Sequence, residues 1–426
     1  MSAFVKVKSS RSRYLKSVLS GVAMLGVGAM VLAGCSATPS ASPTKSAGPV
    51  QDLTLNLGTV IAQTGSLAFL GPPQEAGVQL AVKDINDANL GIKVNLTLGD
   101  SGDPDNKAYA TTVPNLINKK VNAIVGASAS SVTKLILDQV TGAGILLISP
   151  SATSPDFTTA PDNGLFFRTA PSDLLQGETL GNLIAADGAS TLGVIALNDP
   201  YGTGLQKATS KAFEAAGGKT VANELFNDGD TNFTSQISAV LAQKPDAIAL
   251  ITFDQGKTII PALKDAGFDM SHLYLVDGNT SHYGTQLAPG TLTGAQGTIP
   301  GPALSTDFHD QLVANYAAVN NGAELKEFTY SAESYDAVVL VALAALSAKS
   351  VDGKAMAAKM AAVSGADKGK KATTFAEAAK IINAGDAVDY DGPSGGVKFD
   401  KAGDPTEASI GIYKYDATNE FKRTNK

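Results

Sequence analysis

From about Leu53 onward, short runs of β-branched and leucine residues alternate with stretches whose apolar positions recur every three or four residues. This is the pattern of strands and amphipathic helices taking turns in parallel α/β layers. LTLNLGTVI, IKVNLTL, NAIVG and GILLIS read as four strands, with helices at PQEAGVQLAVKDINDA and SVTKLILDQVTGA. After Phe167-Arg168 the pattern begins afresh. TLGVIAL, KTVANELF, DAIALITF and LYLVD start at nearly even intervals, near Thr191, Lys219, Asp246 and Leu273, with helices at GTGLQKATSKAFEAAG, TNFTSQISAVLAQ and QGKTIIPALKDAG.

Two such runs predict an α/β fold of two doubly wound open-sheet lobes rather than one large sheet. The helix expected over residues 330–348 is too apolar for a free surface and should pack on the first lobe, while SGGVKFDKAGD and IGIYKYD read as a hairpin of the second. On this division the first lobe comprises residues 52–169 and 301–385 and the second 170–300 and 386–424. The chain then crosses between lobes three times, near residues 169, 300 and 386, a joint suited to hinge closure around a ligand.

The N-terminus follows a different pattern. Lys6, Lys8, Arg11, Arg13 and Lys16 precede the uncharged run SVLSGVAMLGVGAMVLAG, which reads as an export signal over residues 1–34. Eighteen residues with four glycines, running into a Ser/Pro-rich stretch, are short for a membrane span. The run ends Leu32-Ala33-Gly34-Cys35, which resembles the lipobox of bacterial lipoprotein signals and marks Cys35 for lipidation. Residues 35–51 have the composition of a flexible tether, long enough to hold the body roughly 20–25 Å from a membrane. The expected location is therefore extracytoplasmic, at the outer face of the cell membrane.

Composition narrows the chemistry. With 426 residues the chain is ample for two domains. Its net charge of −7 disfavours nucleic acid as a partner. One cysteine excludes an internal disulfide, and three scattered histidines do not make a His-rich metal centre. Asp228-Gly229-Asp230-Thr231-Asn232 starts like a calcium loop, but Phe233 and Ala239 fill positions that need glycine and glutamate, so a capped turn is expected. Gly202-Thr203-Gly204 lacks the third glycine of a dinucleotide fingerprint and no Walker A sequence occurs, so no cofactor is expected.

In open α/β sheets, ligands sit beyond the carboxyl ends of strands, where helix N-termini present unpaired N–H groups. NAIVG leads into Ala127-Ser128-Ala129-Ser130-Ser131, and GILLIS into Pro150-Ser151-Ala152-Thr153, so the first lobe offers a cup of neutral donors for an anion. The second lobe's strands lead into Asn198-Asp199-Pro200-Tyr201, Asp254-Gln255 and Asp277-Gly278-Asn279, supplying carboxylates and an aromatic ring. A zwitterion fits that division: its carboxylate near Ser130 and its ammonium on Asp277. Taken singly, each aspartate is more often a turn or cap residue, and their joint placement carries the weight.

Several blocks in order resemble the type I periplasmic binding proteins of the Leu/Ile/Val-binding branch, which serve ABC importers. They are TGSLAFLGPPQEAGVQLAVKDIN, AIVGASASSVT, GILLISPSATSP, FFRTAPSD with QG following, NDPYGTGL, FEAAGG and SYDAV. The resemblance implies a two-lobed hinged binder with an ABC permease as partner. It implies first-lobe contacts from Ser130, Ser131, Ser151 and Thr153, closure by Tyr201, and ammonium pairing by Asp277. Leu70 stands where an aromatic residue often covers the ligand, and Phe253 where a tyrosine is common, which leaves the ligand's side chain open between branched-chain and other amino acids, amides and small carboxylates.

Two alternatives remain at this stage. A surface-tethered sensor of the same fold would close on a ligand in the same way. A lipid-anchored serine hydrolase is suggested by Gly126-Ala127-Ser128-Ala129-Ser130, one residue short of a nucleophile elbow, but it would need His272, His282 or His309 as base, against the usual order of such triads.

Overall fold

The computed structural model describes residues 52–425; the expected signal peptide, Cys35 and the tether lie outside the described residues. The first lobe begins with β1 (Leu53–Val60), α1 (Gly71–Ala88), β2 (Ile92–Thr97), α2 (Tyr109–Asn118), β3 (Ala123–Gly126), α3 (Ser130–Gly142), β4 (Leu146–Ser149) and β5 (Phe166–Arg168). The second has α4 (Asp173–Ala186), β6 (Thr191–Leu197), α5 (Pro200–Ala215), β7 (Lys219–Phe226), α6 (Thr234–Ala242), β8 (Ala247–Ile251), α7 (Gly256–Asp265), β9 (Leu273–Leu275) and β10 (Gln296–Pro300). There follow α8 (Thr306–Val319), α9 (Ser331–Ala348), α10 (Gly353–Val363), β11 (Lys370–Ala372), α11 (Phe375–Asn383), β12 (Val388–Gly392), β13 (Gly395–Gly396), β14 (Ile410–Tyr415) and β15 (Phe421–Arg423).

The first sheet runs β2-β1-β3-β4-β5, and its adjacent strands pair in parallel. The parallel part of the second runs β7-β6-β8-β9-β10. Counted from each lobe's own first strand, both have the doubly wound order 2-1-3-4-5, with a switch point between strands one and three. Helices cover both faces of such sheets, so β3, β4 and β8 are buried throughout, which is why they read as unbroken apolar runs. Helix α9 packs between α1, α10 and α11 and is buried on nearly every side, consistent with its composition.

The C-terminal segment departs from the expectation. Residues 388–399 remain with the first lobe: β12 pairs with β11, and Val388, Tyr390, Val397 and Phe399 enter that lobe's core. Tyr390 donates to Asp336 of α9 at 2.7 Å, and Phe399 meets Phe167 edge-on at 5.2 Å. The third crossing therefore falls between Phe399 and Ile410 rather than near residue 386. SGGVKFD does not form a hairpin with IGIYKYD either. Strand β14 adds antiparallel to β10 and turns back through β15, with Tyr413 opposite Arg423. The deciding contact is Arg168, fully buried at the end of β5, which grips Asp404 with two parallel bonds of 2.6 and 2.9 Å and holds the crossing segment against the first lobe.

Candidate functional site

The two switch points face one another. On the first lobe, β3 ends at Gly126, whose φ of +139° and approach to Val60 leave no room for a side chain: a β-carbon would lie 2.3 Å from the Val60 carbonyl oxygen. The chain then turns into α3. Its N-cap is Ala129, and no side chain caps the helix, so its first-turn N–H groups stay available. By contrast α5, across the cleft, is capped by Asp199, which accepts from Gly202 N at 2.7 Å.

Hydroxyls tie these loops together. Ser128 accepts from Ala62 N at 3.0 Å and donates to Gln74 at 2.8 Å; Ser151 donates to the Ser128 carbonyl at 2.9 Å; Ser130 accepts from Ser154 N at 3.2 Å. The cup is thus rigid before any ligand arrives, which lowers the ordering cost of binding.

On the second lobe, Asp277 follows β9 and is buried. Its Oδ1 accepts from Gln176 Nε2 and from the Tyr201 hydroxyl, both at 2.9 Å, and its Oδ2 accepts from the Tyr330 hydroxyl at 2.6 Å. Burial raises its pKa, while these three bonds oppose the rise. Tyr201 stacks on Phe253 with ring centres 5.3 Å apart and planes 11° from parallel. Between the lobes, Asp254 N donates to the Ser66 carbonyl at 3.2 Å.

Of the residues singled out from sequence, Leu70, Ser130, Ser151, Tyr201, Phe253 and Asp277 line one small interlobe cavity. Its volume is about 10 Å³, room for about one water, so any larger molecule enters only when the lobes part. Two do not line it. Ser131, one helical step past Ser130, points instead toward Asp199, whose pKa burial pushes up to about 7. Thr153 turns toward the fully buried carboxyl of Asp173, whose pKa burial and the Asp277 charge push well up.

Sequence reasoning missed Tyr330 and Gln176. Gln176 lies within a stretch that carries the family resemblance, yet nothing local aims it at Asp277. Tyr330 immediately precedes α9 in the left-handed conformation, φ +64°, an uncommon state for a bulky residue, and this turn brings its hydroxyl to Asp277. None of the three histidines lines the cavity, so Ser130 has no base beside it there. The arrangement offers neutral donors and a helix N-terminus on one wall, a carboxylate on the other, and aliphatic and aromatic surface between.

A family model described as periplasmic binding protein matches residues 54–420. The chain belongs to the periplasmic binding protein family. Its fold is that of type I, and the family's members are exported solute-binding proteins rather than enzymes. A leucine-, isoleucine-, valine-, threonine- and alanine-binding protein of Pseudomonas aeruginosa is 27% identical over 375 residues, 86% of this chain and 91% of the relative. The branched-chain amino acid transporter substrate-binding protein LivJ of Streptococcus pneumoniae, solved with isoleucine, superposes with a TM-score of 0.68 at 23% identity, covering 87% of this chain and 100% of that one. An ABC transporter solute-binding protein of R. palustris, solved with benzoate, gives 0.69 at 17% identity, covering 87% and 96%. The two structures share the fold while holding ligands of different chemistry.

Proposed function

We propose that this periplasmic binding protein is the solute-capturing lipoprotein of an ABC importer, anchored through Cys35 at the outer face of the cell membrane. Its ligand in this reading is a small zwitterionic amino acid, branched-chain aliphatic members foremost. The observation that carries the reading is the convergence of Ser130 and Ser151 from one lobe and Asp277 from the other on a single cavity at both switch points. The ligand carboxylate would meet the uncapped start of α3 and the serine hydroxyls; its ammonium would meet Asp277. Leu70 and the Tyr201–Phe253 stack would receive the aliphatic side chain. Amino-acid specificity of the Pseudomonas relative and the isoleucine held by the Streptococcus structure favour the same ligand class.

Calorimetry of the full chain against amino acids, neutral amides and small carboxylates tests the ligand class. Saturable heat with leucine, isoleucine or valine is expected; heat with amides or benzoate alone would replace the amino acid. Ligand-dependent stimulation of a cognate permease's ATPase is expected for an importer and would be missing for a sensor.

A further inference from the structure

The segments that link the lobes do not pack solidly. Between Pro300 at the second crossing, the start of α9 and strands β14 and β15 lies a cavity of about 160 Å³, close to the ~150 Å³ of an engineered protein cavity that takes up benzene. Phe328, Tyr330, Tyr413 and Phe421 give it aromatic walls, and no lysine or arginine lines it. Glu333, on the first turn of α9, borders it while only 4% exposed. Its carboxyl has no side-chain partner; the one group bonded to it is its own backbone N–H. Gly301 makes room for that carboxyl: with φ at +101°, a β-carbon there would lie 2.4 Å from Glu333 Oε1. Glu327, also at the wall, accepts at Oε1 from Ser281 Oγ at 2.6 Å and from His282 N at 2.9 Å.

We propose that this hinge cavity is a second binding site, distinct from the interlobe cleft, for a small organic cation of the alkylammonium class, held by the aromatic faces and the Glu333 carboxylate. Aromatic rings attract a cation through the negative charge of their faces, most strongly when water is excluded, and a buried carboxylate without a side-chain partner supplies the counter-charge. Burial pushes the Glu333 pKa up to about 8, so below that pH a bound cation must displace the carboxyl's proton. The charged and titratable groups facing it are Asp336 further along α9, Tyr413 of β14 with the Arg423 guanidinium 5.9 Å from that ring's centre, and Glu327 and His282 across the cavity. As pH rises, loss of protons from the carboxyls favours a bound cation.

The probe is tetramethylammonium chloride, titrated calorimetrically into the purified full chain against sodium chloride of equal ionic strength, with tert-butanol as a neutral compound of similar shape. One-to-one saturable binding is expected for the cation alone, rising between pH 6 and 8 by up to about tenfold per unit and then levelling. Glu333→Gln should weaken it about tenfold or more and flatten the pH profile, whereas Asp277→Asn should leave it intact. Equal binding of tert-butanol, no saturable binding of the cation, or loss in Asp277→Asn with retention in Glu333→Gln would each overturn the proposal. The pH profile of the unaltered chain stands even if Glu333→Gln does not fold.

Discussion

Asp277 is the residue on which the cleft's chemistry turns, because burial works against its charge while Tyr330, Gln176 and Tyr201 work for it. A ligand ammonium adds the one partner of opposite charge. Asp277→Asn should therefore cost about 2–5 kcal/mol in amino-acid binding, read as the ratio of dissociation constants; unchanged affinity would remove the ammonium assignment. Tyr330→Phe deletes only the hydroxyl bonded to Oδ2 at 2.6 Å. It should cost about 1.5–3 kcal/mol, the range for hydrogen bonds to charged groups, and the carboxyl should then lose its proton only at higher pH, shifting the pH dependence of binding upward. Ser130, Ser151, Tyr201 and Asp277 were legible in sequence because each closely follows a strand whose exit the fold aims at the cleft. Gln176 and Tyr330 reach the same carboxylate from elements remote along the chain. Ser131 and Thr153 share loops with true cavity residues but face away, since adjacency in sequence does not set the direction of a side chain.

Among the elements, α9 shows what hydropathy can and cannot say. It is long and apolar enough to cross a membrane, yet 89% of it is buried among the other helices and the first sheet. Leu340, fully buried on it, should cost about 2–5 kcal/mol when cut to alanine, measured by chemical denaturation; a loss below about 1 kcal/mol would mean that the helix is loosely packed. Arg168 belongs to the same scale. It joins β5 to Asp404 while also donating to the Ser154 carbonyl at 2.8 Å, and so braces both the third crossing and the loop carrying Ser151. Arg168→Met would leave Asp404 without its ion-pair partner, at a cost of about 3–5 kcal/mol in stability. The strands were readable because a sheet covered on both faces demands continuous apolar runs. The last crossing was not: VKF and IGIYKY carry similar alternation, and only Phe167, Arg168 and Asp336, distant in sequence, fix the segment around VKF on the first lobe.

At the scale of the whole molecule, buried carboxyls set the response to pH. Burial pushes Asp199 and Asp336 up to about 7 and Glu333 up to about 8, against ordinary carboxyl values near 4. The folded chain thus keeps protons that the unfolded chain releases. Their stabilisation is complete below about pH 4 and is lost as pH rises through 7 to 8, so the melting temperature should be higher at pH 5 than at pH 8.5. The opposite trend would show that these groups are charged and paired in the fold.

Both lobes carry the same strand order, and the cleft lies where the two switch points meet, so a crystal structure of the chain with isoleucine is the most direct measurement. The ligand should lie between the lobes with its carboxylate against Ser130 and the start of α3 and its ammonium within hydrogen-bonding distance of Asp277. Isoleucine bound elsewhere, or bound with its ammonium on the serine cup, would contradict the account.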